Sequence, residues 1–485
     1  MFTSISPGAF RLLRLRSLAS AAVLLCVSSA MAAPVTYKNS DVPYLGPRAV
    51  IAMTPERQAL MDATQKEYER EQAVLGIAGK LRQVPDSHSP IDAANVPNYD
   101  EAASAPYPYT SDVLKTNDGG QTATAAQWWK IRRPQIVEAF DREIFGRLPK
   151  VTPKVSWSVA ETKNETIGGY EGVTRHLVGR VDNSSYPAIA VNIDMAVTLP
   201  AHVKGKVPVI IEFGSLVPRP LPNGMPRPPE PGPDWRAQVL ALGWGYAVLD
   251  PGSVQADNGA GLNAGIIGLV NKGRPRKMDD WGALRAWGWG ASRAIDYLKT
   301  NPHVAGNEIG IMGHSRYGKA AIVAMAYDRR FAIGFISSSG AGGAKLFHHY
   351  FGETLENVAA ANEFHWMAGN FLKYAADPRS VKDLPVDMDA LVALCAPRPL
   401  FVGGGSSSQG DAWVDAHGMF LSEVGATPVY KLLGKTGLPT DQYPPQLTPI
   451  LNGDLGFRQH EQGHTPNPNW PIFLTFAQQF LKVRD

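Results

Sequence analysis

Seven residues carry the plainest chemical potential in this sequence: Gly313-His314-Ser315-Arg316-Tyr317-Gly318-Lys319. A short apolar run, 308–312, precedes them and a helical pattern, 317–327, follows, so Ser315 falls on a strand-to-helix turn. That is the setting of a nucleophile elbow. The turn holds a hydroxyl clear of a sheet, and the first N–H groups of the following helix lie beside it to stabilise an oxyanion. Flanking glycines let strand and helix approach closely. Arg316 and Lys319 put two cations beside the hydroxyl. Cations there suit an anionic substrate or transition state, whereas at a plain helix start they oppose the macrodipole. The second glycine comes three residues after the serine, a departure from Gly-x-Ser-x-Gly, and a serine here would also serve as an ordinary helix N-cap. The chemistry implied is nucleophilic attack on an acyl carbon.

A serine hydroxyl needs a base to take its proton and a carboxylate to orient that base. In the fold that uses this elbow the chain order is serine, acid, histidine, so the base lies late. Of His365, His417, His460 and His464, only the last two fall between the final strand candidate, 428–433, and the terminal helix. His464 is read as the base, with Gly463 freeing the backbone beside it, and His460 as a surface residue or a support. His314, next to the serine, is expected to point its side chain away and to be structural.

The elements that must position these groups alternate along the chain. Runs at 173–181, 188–199, 207–213, 245–249, 308–312, 332–337, 399–402 and 428–433 read as strands, and 281–298, 317–327 and 471–483 as helices. Such alternation requires crossover connections. The expected class is α/β, an α/β-hydrolase fold with a mostly parallel central sheet covered by helices on both faces. Ligands then bind beyond the carboxyl ends of the strands. The proline-rich stretch 218–233 suits a rim or lid, and the long glycine-rich loop 251–276 suits the wall of a cleft. Upstream, 33–109 is uneven and polar, with one helix at 55–78 opened by Thr54 and a linker-like piece at 85–108. The domains expected are a signal peptide, 1–32, an N-terminal extension and linker, 33–109, and a catalytic domain, 110–485.

The elbow, extended to Ala320, resembles the Gly-x-Ser-Arg-x-Gly-Lys signature of the glucuronoyl esterases, carbohydrate esterase family 15. Ser339-Gly340-Ala341-Gly342-Gly343-Ala344 is similar to the family's Ser-Gly-Ala-Gly-Gly-Ala stretch. Glu363 and Trp366, with Asn370-Phe371, match its Glu-x-x-Trp-x-x-x-Asn-Phe segment; Trp287-Gly288-Trp289-Gly290 and Gly463-His464 also fit. The likeness runs in order from about Trp128 to the C-terminus and leaves the extension outside. It implies a serine esterase acting on 4-O-methyl-glucuronoyl esters, which join glucuronoxylan side chains to lignin alcohols. By the same likeness Arg316 holds the oxyanion, Lys319 donates to sugar hydroxyls, Glu363 accepts from the sugar, and Trp366 offers an aromatic edge or an indole N–H. Trp413, in the loop 404–415, is placed with these substrate-binding residues.

The acid departs from the fungal pattern. Fungal members carry Glu at the strand end before Ser-Gly-Ala-Gly-Gly, where this chain has Ser338. Some bacterial members place an acid in the loop after the next-to-last strand, the usual hydrolase location. Here that loop offers Asp411 as the orienting acid and Asp415 as the second choice, and Asp415 alternatively caps a helix beginning near Ala416.

The 485 residues, 44% hydrophobic and 19% charged, supply ample material for a core. Residues 1–32 read as a secretory signal: Arg11, Arg14 and Arg16, an apolar run at 18–27 too short for a membrane span, and Ala30-Met31-Ala32 for cleavage. Its removal takes three arginines and no acid, so the formal charge of +3 falls to zero, which argues against polyanion partners. Leu25 before Cys26 disfavours a lipid anchor, and Cys395 is left, a buried apolar residue in the strand-like run 391–395. The expectation is a secreted or periplasmic monomer with no nucleic-acid partner, no membrane association after signal cleavage, and no cofactor. No metal is expected either, because no Cys or His cluster has ligand spacing and His348-His349 are adjacent. Two other readings compete: an acetyl-xylan or cinnamoyl-type esterase on the same fold, and a catalytically silent carbohydrate-binding homologue.

Overall fold

Strands of five to thirteen residues, most of them apolar, build one sheet. The computed structural model describes residues 42, 53–89, 92–105, 109, 112–217 and 232–483. Residues 1–32, expected as a signal peptide and containing Cys26, and the stretch 218–231 expected at the rim, lie outside the described residues. Among the described residues the strands are β1 (Val155–Ile167), β2 (Tyr170–Val181), β3 (Asn192–Pro200), β4 (Val207–Phe213), β5 (Gly245–Leu249), β6 (Val304–His314), β7 (Ile333–Ser337), β8 (Leu400–Gly404) and β9 (Leu455–Gln459). They lie in the order β1-β2-β3-β5-β4-β6-β7-β8-β9. The first three and β5 pair antiparallel; from β5 through β4 to β9 every pairing is parallel.

Strand periodicity places alternate side chains on opposite faces, and both faces are buried. Val209 and Ile211 of β4, Ile309 and Ile311 of β6, and Leu400 and Val402 of β8 join one core. It also takes in the helices Ala283–Leu298, Arg316–Tyr327, Met388–Cys395 and Ala416–Leu432. Ile210, Met312, Phe335 and Phe401 point the other way, into a second core completed by Trp235, Trp470 and Phe473. The chain is thus an α/β fold with helices on both faces. Trp287-Gly288-Trp289-Gly290 sits inside the helix Ala283–Leu298, where a Cβ on Gly288 would lie 3.3 Å from Ala324 Cα and one on Gly290 would lie 2.7 Å from Val254. Gly288 sets how closely that helix packs against the one following Ser315, and Gly290 how closely it packs against the short helix Pro251–Val254.

Four elements differ from the sequence reading. The run 428–433, expected as the last strand, is the end of the helix Ala416–Leu432 with Pro428 inside it. Val429 and Tyr430 are fully buried there, and burial overrides their strand preference. The last strand is β9 instead, a short run interrupted by Gly456 and Arg458 that carries little strand signal. Likewise 391–395 belongs to the helix Met388–Cys395, capped by Asp387, and Cys395 is buried at its end. The exposed, charged β1 was not anticipated, and the loop 251–276 contains the short helices Pro251–Val254 and Gly265–Val270.

The N-terminal helix is Pro55–Leu75, capped by Thr54 and stopped by Gly76 at φ 67°. Its inner face is polar: Glu71 is fully buried against Arg276 (Nε to Oε1 2.7 Å, Nη2 to Oε2 3.2 Å), and Tyr68 donates to the Ala359 carbonyl. The stretch expected as a linker is fastened to the body. Arg82 pairs with Glu356, Asn98 donates to Tyr350, and the backbone of 350–352 donates to Ser104 and Asn98. No described helix is long and apolar enough to cross a membrane.

Candidate active site

Strands β6, β7, β8 and β9 are consecutive parallel neighbours, so their C-terminal ends share one edge of the sheet. Each delivers one residue of interest: Ser315 after β6, Ser338 after β7, Asp411 after β8 and His464 after β9. The ladder continues past the strand ends. Ser315 N–H donates to the Ser337 carbonyl, Ser338 N–H to Gly403 and His460 N–H to Gly404.

Ser315 adopts φ 59° and ψ −131°, a left-handed conformation that costs a non-glycine residue of order 1–3 kcal/mol and marks a constrained turn. The strand and helix close tightly around it: a Cβ on Gly313 would lie 2.0 Å from the Tyr317 carbonyl, and one on Gly318 would lie 2.8 Å from that of Ser337. The Ser315 carbonyl accepts from Gly318 and Lys319, which leaves the Arg316 N–H at the open start of the helix.

His464 Nδ1 donates to Asp411 Oδ1 at 2.6 Å. Asp411 is buried and accepts twice more on Oδ2, from Gly405 N–H at 2.6 Å and Ser338 Oγ at 2.8 Å. Burial pushes the Asp411 carboxyl up, but the hydrogen bond and charge of His464, with the Gly405 and Ser338 donors, outweigh it and hold the group below the usual carboxylate range. The acid and base loops touch backbone to backbone. A Cβ on Gly405 would meet the Gly463 carbonyl at 2.3 Å, and one on Gly463 would meet that of Gln409 at 2.2 Å. Gly463 is therefore needed for loop contact, and its φ is not positive, so the backbone freedom expected of it is not what this turn uses.

The His464 ring lies 4.4 Å, centroid to centroid, from that of His314, the residue before Ser315. His314 does not point away from the site, as its sequence position suggested; it fills the floor between elbow and base, with Nδ1 3.1 Å from Ser337 Oγ. Burial and the neighbouring His464 push His314 down to about 3, so it stays neutral. His460 is buried, accepts on Nδ1 from Gln462 N–H and donates from Nε2 to the Thr465 carbonyl, which braces the turn that presents His464. Asp415 is not beside His464. It caps the helix Ala416–Leu432 through Gly418 N–H and accepts from His349 Nδ1 at 2.6 Å.

Arg316 projects from the elbow half-exposed and pairs with Asp257 at 2.7 Å, its guanidinium 5.4 Å from the Trp366 ring. Asp257 also accepts from Trp366 Nε1 at 2.7 Å and His365 Nε2 at 2.9 Å. One carboxylate therefore orients both the arginine and the tryptophan. Burial raises its pKa, but these three donors hold it well below the usual range. Lys319 is buried, 5.5 Å from the Trp366 ring, and donates to Glu353 Oε2 and the Ala341 carbonyl, both at 2.7 Å. Glu353 Oε2 also accepts from Ala341 N–H, which seats the Ser339–Ala344 stretch. Burial and the Glu353 charge push Glu363 up to about 8, and its Oε2 has no partner among the described residues. A carboxyl that keeps its proton at neutral pH donates as well as accepts. Trp413 is half-buried and its carbonyl accepts from Glu353 N–H.

Asp257 and Glu353 were missed in the sequence. Asp257 is the sole carboxylate in the loop 251–276 already marked as a cleft wall, so a signal existed; Glu353 had none.

A mostly parallel sheet with a strained serine elbow and a carboxylate-paired histidine on the same edge places the chain among the α/β-hydrolases. A CE15 glucuronoyl esterase from Teredinibacter turnerae T7901 is similar at 40% identity, covering 86% of this chain and 99% of that one, with a TM-score of 0.77. A glucuronoyl esterase from Solibacter usitatus is 30% identical over 78% of this chain and 99% of its own, with a TM-score of 0.68. Carbohydrate esterase MZ0003, of an unknown prokaryotic organism, is 28% identical over 79% of this chain and 92% of its own. The family description "Glucuronyl esterase, fungi" matches residues 276–434. The chain belongs to the glucuronoyl esterases of carbohydrate esterase family 15, and is a carboxylic ester hydrolase.

Proposed function

We propose that this enzyme hydrolyses 4-O-methyl-glucuronoyl esters between glucuronoxylan and lignin alcohols through an acyl-enzyme on Ser315. The observation that carries this reading is the 2.6 Å bond from His464 to a buried, triply bonded Asp411, with the His464 ring against the elbow. Asp411 keeps the Nδ1 proton of His464 in place, so Nε2 is the basic nitrogen. His464 takes the Ser315 proton as the oxygen attacks the uronoyl carbonyl, and the Arg316 N–H and guanidinium hold the oxyanion. The C–O bond to the alcohol then breaks, with the proton returned by His464. Water, deprotonated by the same ring, releases the glucuronic acid.

Lys319, Glu363 and Trp366 bind the sugar on this reading, with Trp413 at the rim. Residues 1–32 direct export and are removed, which leaves a secreted or periplasmic enzyme whose body spans 110–485. Hydrolysis of benzyl glucuronate, compared with acetylated xylan and methyl ferulate, tests the substrate class. Preference for the glucuronate ester, abolished in Ser315→Ala, is the expected result; preference for acetyl or feruloyl esters overturns the uronoyl assignment, and an inactive wild type overturns the hydrolytic one.

A further inference from the structure

Away from Ser315, three side chains far apart in sequence meet at one point. Glu101 opens a short 3-10 turn, Glu101–Ala103, whose position is set by the bonds that 98–104 make with 350–352. His349 precedes that contact, and His417 stands in the first turn of the helix Ala416–Leu432. Glu101 Oε1, His349 Nε2 and His417 Nδ1 all lie within 4.8 Å of one another. Oε1 is 3.0 Å from the first nitrogen and 2.7 Å from the second. Among the described residues this is the one group of three such side chains close enough to share an ion.

We propose that Glu101, His349 and His417 form a binding site for a divalent transition metal of the zinc type. Ligands of one tetrahedral zinc, at about 2.0–2.2 Å from the metal, stand roughly 3.3 Å from each other, a spacing small side-chain rotations reach here. Two imidazoles and one carboxylate favour zinc and its neighbours over calcium or magnesium, which take oxygen ligands.

The surroundings of His349 carry the argument further. Its Nδ1 is bonded at 2.6 Å to Asp415, which is itself fixed by Gly418 N–H at 2.8 Å and has Lys345 Nζ 3.8 Å away. A buried carboxylate on one ring nitrogen, with the other nitrogen aimed at two further donors, is the arrangement that orients metal-bound histidines and raises their basicity. Glu101 Oε1 faces both rings at once, and an ion seated between them would take all three groups as ligands. Glu101 and His417 are partly exposed, which opens the site to solvent and leaves a fourth position for water.

The site ties the N-terminal region to the catalytic edge. Asp415 ends the turn Ala412–Val414 that begins at Asp411, so an ion on His349 steadies the loop holding the triad acid without entering the reaction. The test uses the full exported chain after chelation, titrated with Zn²⁺ by calorimetry and with Co²⁺ by visible absorption. The expected result is one equivalent of each, intense four-coordinate cobalt bands, and a zinc-dependent rise in Tm. His417→Ala, the least buried substitution, should abolish the stoichiometric binding, while Asp415→Asn should weaken it about 10- to 100-fold. Absence of stoichiometric binding to wild type, or wild-type affinity in both His417→Ala and Glu101→Gln, overturns the proposal.

Discussion

Ser338 Oγ donates to Asp411 Oδ2 across 2.8 Å, so the serine that follows β7 supports the carboxylate that lies on the neighbouring loop. Ser338 is buried, at φ 43°, with its N–H anchored on Gly403. Ser338→Ala removes one of three donors to a charged group, a loss of about 1.5–3 kcal/mol. Asp411 is then less stabilised as an anion and its pKa rises. The expected outcome is a drop in kcat of roughly tenfold. The acid-side decline in rate also moves to higher pH than in wild type, as read from a pH–rate profile.

Asp411→Asn keeps the shape of the acid but cannot hold the Nδ1 proton of His464. A fall in kcat of about 10⁴-fold is expected, as for loss of an orienting carboxylate in serine hydrolases generally. Asp415→Asn should instead lower Tm, through the helix cap and His349, with kcat within a few-fold of wild type. Equal loss of kcat in the two variants would contradict the assignment.

Asp257 holds Arg316, Trp366 and His365 together. Asp257→Ala frees the arginine from its partner and leaves the Trp366 indole N–H unbonded. Both kcat and KM on benzyl glucuronate should worsen, and Asp257→Asn, which retains an acceptor, should recover much of the KM. An unaltered KM in Asp257→Ala would show that Trp366 needs no such support.

Glu423 lies fully buried in the helix Ala416–Leu432, and neither carboxylate oxygen has a partner among the described residues. Burial pushes its pKa well above the ordinary value of 4.5. The folded chain therefore keeps a proton that the unfolded chain releases as pH rises past that value. Its contribution to stability is complete below pH 4.5 and is lost progressively toward the raised folded pKa. Glu423→Gln cannot release that proton, so its Tm relative to wild type should be higher at pH 8 than at pH 5. A constant difference across that range would show that the carboxylate is solvated.

The elbow was legible because its chemistry is local: a glycine, a serine and a second glycine on a strand-to-helix turn define the same geometry wherever they occur. The strand positions were legible where apolar runs are almost wholly buried, as in β4 and β5, whose bounds match the expectation. It failed at 428–433 and 391–395, where β-branched and aromatic residues face a helical core, since periodicity in short apolar runs does not separate the two states. Asp411 and Asp415 were left as alternatives because four residues of separation say nothing about which one meets His464. The meeting of Glu101, His349 and His417 was invisible for the same reason on a larger scale, as tertiary packing alone brings them together.

The buried pair between Arg276 and Glu71 reaches beyond stability. Deleting the N-terminal helix would take away the Glu71 carboxylate and leave the Arg276 guanidinium with the Met367 and Trp281 carbonyls alone. A shorter descendant of this enzyme would have to change residue 276 in the same evolutionary step. Lineages that lack the helix should therefore carry an uncharged side chain at that position.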